Sequence, residues 1–144
     1  MKLNRKGFTL VELLAVIVIL ATIVMIAAPN VSNYLENSRK KSYVLNAKAV
    51  VDAVSNDVLM NGGKTAYNLE DINKLLDYNH SLKISPYGQS YSGGSYVKVE
   101  KDSTGNYVYS ICLTDTGKNG IELTKAADLN DDAVKVGNAT ECQY

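Results

Sequence analysis

The sequence predicts an α+β fold: a long N-terminal α-helix packed against a small antiparallel β-sheet head. Three observations predict it. Phe8 to Ala28 is a run of 21 residues with a single charge, Glu12. Val44, Ala47, Val51, Val54 and Val58 then recur at helical spacing and form one apolar stripe. Between Tyr96 and Thr124, three segments of alternating apolar and polar residues are separated by turn-forming residues, the pattern of a β-meander.

The apolar run sets the scale. As a helix it is about 31 Å long, close to the ~30 Å hydrocarbon core of a bilayer. The whole chain has 144 residues, so the part beyond the run can build one small core. Net charge is zero, but it is unevenly placed. Lys2, Arg5 and Lys6 make the first seven residues strongly basic, and acidic side chains exceed basic ones in the remainder. A basic stub before an apolar helix holds its N-terminus on the cytoplasmic side. Everything beyond the helix is then expected outside the cytoplasm. The near-neutral balance lacks the basic excess of a nucleic-acid-binding domain, so no nucleic-acid partner is expected.

Glu12 is the anomaly in the run. A carboxylate inside a membrane helix costs up to about 3 kcal/mol, and such residues are functional candidates. Its place in the first turn, at the positive end of the helix dipole, explains why it is tolerated. It does not explain why it is there. A secretory signal peptide would have a shorter apolar region and a small-residue cleavage site, and Ile26-Ala27-Ala28-Pro29 is a poor one. A plain membrane anchor explains the length but not the acid.

The segment Lys6-Gly7-Phe8-Thr9-Leu10-Val11-Glu12 closely resembles the processing site of type IV prepilins. The resemblance is strong over residues 1–35 and weak beyond. It implies a leader, residues 1–7, that a membrane peptidase removes between Gly7 and Phe8. The same enzyme would methylate the new N-terminus on Phe8. It implies that Phe8 and Glu12 serve assembly, the carboxylate of one subunit pairing with the N-terminal amine of a neighbour. It also implies the type IV pilin fold and a filament core built from the N-terminal helices. Gly7 suits the processing role because a residue without a side chain lets a protease approach the backbone.

Residues 8–28 are therefore expected to form the membrane and filament-core helix. Residues 29–61 continue it as an amphipathic helix into the head. Pro29 lacks an N–H, so a kink or break is expected just before it. Related filaments often melt their helix between a mid-segment glycine and this proline, but the matching position here is Ala21. β-Branched Val16 to Ile19, Ile23 and Val24 are only middling helix formers, and a break between Ala21 and Pro29 is expected in the filament. Arg39-Lys40-Lys41 reads either as a solvated face or as a partner for acids of adjacent subunits. Gly62-Gly63 ends the helix.

The head is expected over residues 62–144. Residues 62–95 read as a connecting region with one short helix, N-capped by Asn68 ahead of Leu69 to Leu76. The meander occupies 96–124, with strands at Tyr96–Glu100, Tyr107–Leu113 and Ile121–Thr124. Residues 125–144 form a tail in which Ala133 to Val136 adds a short edge strand. Cys112 and Cys142, the two cysteines, allow one intrachain disulfide in an oxidising compartment. The other reading is two free thiols, one buried and one exposed. A disulfide here would pin the tail to the second strand, which resembles the disulfide-bounded tail of many pilins.

Little else carries chemistry, and neither an enzyme nor a cofactor is expected. His80 is the one histidine, in a polar loop. Asp128, Asn130 and Asp132 match the first three ligand positions of a calcium loop, but Ala133 and Ala139 stand where its glycine and glutamate belong. An acidic surface turn is the simpler reading, although some minor pilin-like proteins bind calcium in this region. Asn138-Ala139-Thr140 fits a glycosylation sequon, a short match common by chance. Of ten tyrosines, Tyr87, Tyr91 and Tyr144 are expected on the surface as contact groups.

The resemblance implies a structural subunit of a type IV pilus for adhesion, twitching motility or biofilm formation. Its partners would be copies of itself, the prepilin peptidase and methyltransferase, the inner-membrane assembly platform and motor, and the membrane before assembly. The alternatives are a pseudopilin of a type II secretion or DNA-uptake system, and a membrane-anchored binding protein that never polymerises.

Overall fold

The computed structural model describes residues 7–76 and 81–144. It is α+β, a long helix followed by a five-stranded antiparallel sheet, an arrangement consistent with the pilin fold. Helix α1 spans Leu10–Asn61, 52 residues. The chain divides into two units, Met1–Glu36 and Asn37–Tyr144, so α1 contributes to both. The break expected near Pro29 is not present in the single chain, where α1 is assigned without interruption. Gly62 and Gly63 end α1 with φ of 78° and 44°, left-handed values that favour glycine.

In the second unit, one face of α1 is apolar because the valines fall at positions i, i+3, i+4 and i+7. Val44, Ala47, Val51, Val54 and Val58 are all buried, and Tyr43 and Val50 on the same side are completely so. They share one core cluster with Val97, Val99, Ile111, Leu113 and Ile121 from the sheet. Burial of such side chains contributes roughly 1.5–3 kcal/mol each, so this helix–sheet contact is the main apolar stabilisation of the head.

The sheet is a simple meander in the order β1-β2-β3-β4-β5. Its strands are β1 Ala66–Asn68, β2 Tyr96–Lys101, β3 Tyr107–Thr114, β4 Gly120–Lys125 and β5 Val134–Lys135. The central three match the alternating segments. Strand β1 is an addition to the connection and helix expected over residues 62–95. A three-residue strand has too little alternation to be seen, and β1 exists because it pairs with β2, Tyr67 opposite Val97. The helix expected after it is α2, Leu69–Leu75, and the Asn68 side chain accepts a hydrogen bond from Asp71 N–H at 2.8 Å as its cap.

Strand β3 departs from simple alternation at its end: Ile111, Cys112, Leu113 and Thr114 are buried in succession. Ile111 and Leu113 belong to the core cluster with α1. Cys112 and Thr114 are covered instead by the tail. Cys112 is joined to Cys142 by a disulfide, and Cys142 N–H donates to Thr114 Oγ1 at 3.2 Å. No free cysteine remains.

A second tail contact is electrostatic. Glu122 on β4 receives Lys135 Nζ at 2.5 Å on one oxygen and Thr140 N–H at 2.8 Å on the other. The Lys135 bond, then that of Thr140, hold its carboxyl well below the ordinary value of 4.5, at about 2. A depressed folded-state pKa stabilises the fold above the unfolded value and loses that contribution as pH falls toward the folded one. The tail is therefore expected to loosen between about pH 4.5 and pH 2. The protection of the Thr140 amide, its exchange relative to the intrinsic rate at each pH, should fall over that window, and Glu122→Gln should remove that change. Protection that stays constant in the parent chain would contradict the assignment.

Two surface expectations are corrected. Tyr91 is buried, its hydroxyl accepting from Asn46 Nδ2 at 3.0 Å and its ring set edge-on to Tyr43 at 5.6 Å. Tyr87 is half-buried, with the Arg39 guanidinium 5.8 Å from its ring centre. Isolated bridges between Ile84 and Ser90 and between Tyr91 and Asp115 draw this loop onto the head, which composition alone did not reveal. Tyr144 is exposed, as expected.

Candidate functional site: the N-terminal processing and assembly segment

The segment begins with Gly7. A Cβ built on Gly7 would meet nothing within 4 Å among the described residues. Packing against the described residues therefore places no demand for glycine there. Phe8 comes next, with 83% of its surface exposed.

Thr9 and Glu12 then start α1. Glu12 Oε2 accepts from Thr9 N–H at 2.8 Å and from Thr9 Oγ1–H at 2.9 Å, while Glu12 N–H donates back to Thr9 Oγ1 at 3.3 Å. This is a reciprocal capping box, which satisfies donors that the first turn of a helix leaves without partners. Sequence reasoning singles out Glu12 by its charge and misses Thr9. The signal is present, because a threonine three residues before a glutamate at the head of an apolar run is the capping-box pattern.

Along residues 10–35 of α1 the large apolar side chains are turned outward. Leu13, Leu14, Val16, Ile17, Val18, Ile19 and Leu20 are all at least half exposed. The helix is long and apolar enough to cross a membrane. Two of its polar side chains bond back to the helix: Thr22 Oγ1 donates to Ile19 O at 2.7 Å and Asn30 Nδ2 to Ile26 O at 3.3 Å. A helix that closes its backbone hydrogen bonds and exposes mainly hydrocarbon suits a lipid environment or apolar neighbours.

A family model describing the prokaryotic N-terminal methylation motif matches residues 2–28. The chain carries a type IV pilin-like prepilin signal. The motif supports a type IV pilin-like or pseudopilin precursor and fits a membrane-anchored form. The prepilin signal also implies processing by a prepilin peptidase and assembly with other pilins. It points to a structural family rather than to enzymes. No curated protein and no solved structure matches the chain.

The structure brings Phe8, Thr9 and Glu12 together at the head of α1 and places Gly7 directly before them. The leader residues Met1 to Lys6, with the charges of Lys2, Arg5 and Lys6, lie outside the described residues, as does His80. The calcium candidates do not form a site. Asn130 Oδ1 caps the following turn by accepting from Asp132 N–H at 3.0 Å and Ala133 N–H at 3.1 Å, so the ligand oxygen is already engaged. Among the described residues no group of three or more His, Cys, Asp or Glu side chains could hold a metal ion.

Proposed function

We propose that this chain is a structural subunit of a type IV pilus, released from its leader between Gly7 and Phe8, methylated on Phe8, and polymerised through residues 8–35 of α1. The observation that carries the reading is the prepilin signal over residues 2–28. Two features support its details. A Cβ at Gly7 would meet no described neighbour, so packing does not require glycine there, and a requirement from the peptidase fits. The outward hydrocarbon of α1 serves lipid before assembly and neighbouring helices after it.

Cleavage removes the basic leader and frees an amine on Phe8. Glu12 of an incoming subunit pairs with that amine in the filament. In an apolar medium the attraction is strong, and desolvation offsets much of it. Its main consequence is register, because a subunit at the wrong height leaves a charge unpaired. Any opening of α1 between Ala21 and Pro29 belongs to the assembled state, where neighbours compensate the lost helical bonds. The peptidase, the assembly platform and its motor are the partners, and the head supplies surface contacts for adhesion, motility or biofilm formation.

Glu12→Ala tests the reading. The variant should still be cleaved yet yield few or no filaments by electron microscopy. Normal filament yield would remove Glu12 from assembly. Long surface fibres from the parent chain distinguish a pilus from the short, cell-bound filaments of a pseudopilin, and no filaments at all would indicate an anchored binding protein.

A further inference from the structure

We propose that Thr9 is a positioning residue for assembly: it holds one oxygen of the Glu12 carboxylate and so presents the other to the amine of the neighbouring subunit. The inference rests on the assembly reading above and adds a second residue to it.

Both hydrogen bonds from Thr9 converge on Oε2 of Glu12, at 2.8 Å from the backbone N–H and 2.9 Å from the hydroxyl. Among the described residues Oε1 accepts none, so one lone-pair-rich oxygen is left for an external donor. Glutamate has three side-chain torsions, and an unanchored carboxylate must be ordered before it can meet a charge at one height. The two bonds fix it in advance. They are also charge-assisted, which makes them stronger than neutral ones, and no water competes in an apolar surrounding. Removal of the leader does not disturb the arrangement. The peptide bond cut is the one before Phe8, and the N–H of Thr9 belongs to the next peptide unit. The processed chain therefore keeps the carboxylate anchored while it gains the amine.

A merely structural role for Thr9, capping α1, must be separated from positioning. Thr9→Val keeps shape and the backbone bond but loses the hydroxyl. Tagged variants are co-expressed with the parent chain, and their incorporation into parental filaments is measured relative to their level in the membrane. Leader removal is followed by mass spectrometry in the same samples. Thr9→Val should be cleaved normally and incorporate about tenfold less, the equivalent of about 1.4 kcal/mol, and Thr9→Ser should incorporate like the parent. In a Glu12→Ala background there is no carboxylate to position, so adding Thr9→Val should change incorporation by less than about twofold.

Three results overturn the proposal. If Thr9→Val incorporates normally while Glu12→Ala does not, positioning fails and the assembly reading stands. An equal loss from Thr9→Val in both backgrounds assigns Thr9 to helix capping alone. Normal incorporation of Glu12→Ala removes the assembly reading and this inference with it.

Discussion

Replacing Asp115 by alanine is expected to lower the stability of the head by about 3–5 kcal/mol, because several buried donors lose their one acceptor. Asp115 is 3% exposed, immediately after β3. Its carboxylate accepts from Ser85 Oγ at 2.6 Å, from Gly117 N–H at 2.9 Å, from Asn119 N–H at 2.9 Å, and from Asn119 Nδ2 at 3.0 and 3.1 Å. Alanine leaves those donors facing a void, and each buried donor without a partner costs about 1–3 kcal/mol. Small shifts and entering water recover part of the sum. The damage spreads, because Asn119 O accepts from Tyr43 on α1 at 3.2 Å and Asn119 Oδ1 accepts from Gly137 N–H of the tail at 2.9 Å. One carboxylate thus ties the 85–91 loop and the β3–β4 turn together, and through Asn119 reaches α1 and the tail. Asp115→Asn should cost less, since the Ser85 hydroxyl can turn to accept from the new amide. Urea denaturation of the full chain in detergent measures both. A loss below about 1 kcal/mol for alanine would show that the network is not the anchor argued here.

Breaking the disulfide comes next in size. Cys112 and Cys142 are 30 residues apart, and closing a loop of that length restricts the unfolded chain by about 3–4 kcal/mol. Both cysteines are buried, so mild reductant should act slowly on the folded head. Cys142→Ser should lose about 3–4 kcal/mol and free the last residues while leaving β2 to β4 on α1. The sheet survives because its core cluster contains neither cysteine. Cys112→Ser should match it, and the double variant should lose no more than either single one, since one substitution already removes the bond. Additive losses would mean that each side chain acts by packing and not through the covalent link.

Much of this fold was legible because it rests on local pattern. The valines of α1, the Asn68 cap of α2 and the strands β2, β3 and β4 each follow from spacing within about ten residues. The features that escaped depend on partners far away in sequence. β1 is a strand only beside β2. Tyr91 looked like a surface group in a polar loop, yet pairing with Asp115 and packing on Tyr43 bury it. Asp115 itself sits in a sequence that reads as an ordinary turn. At the N-terminus the pattern was complete, but attention to the charge of Glu12 hid the hydroxyl three residues before it.

By itself the sequence determined the prepilin signal, the membrane-length helix and the helix-then-meander order of the head. Each is written in consecutive residues, where length, charge and period act directly on the chain. Only the tertiary structure decided that β3 is covered on both faces, that Glu122 and Cys112 fasten the tail, and that Asp115 gathers donors from separate segments. Those outcomes depend on which distant groups meet once water is expelled, a property of the packed head that no stretch of sequence contains alone.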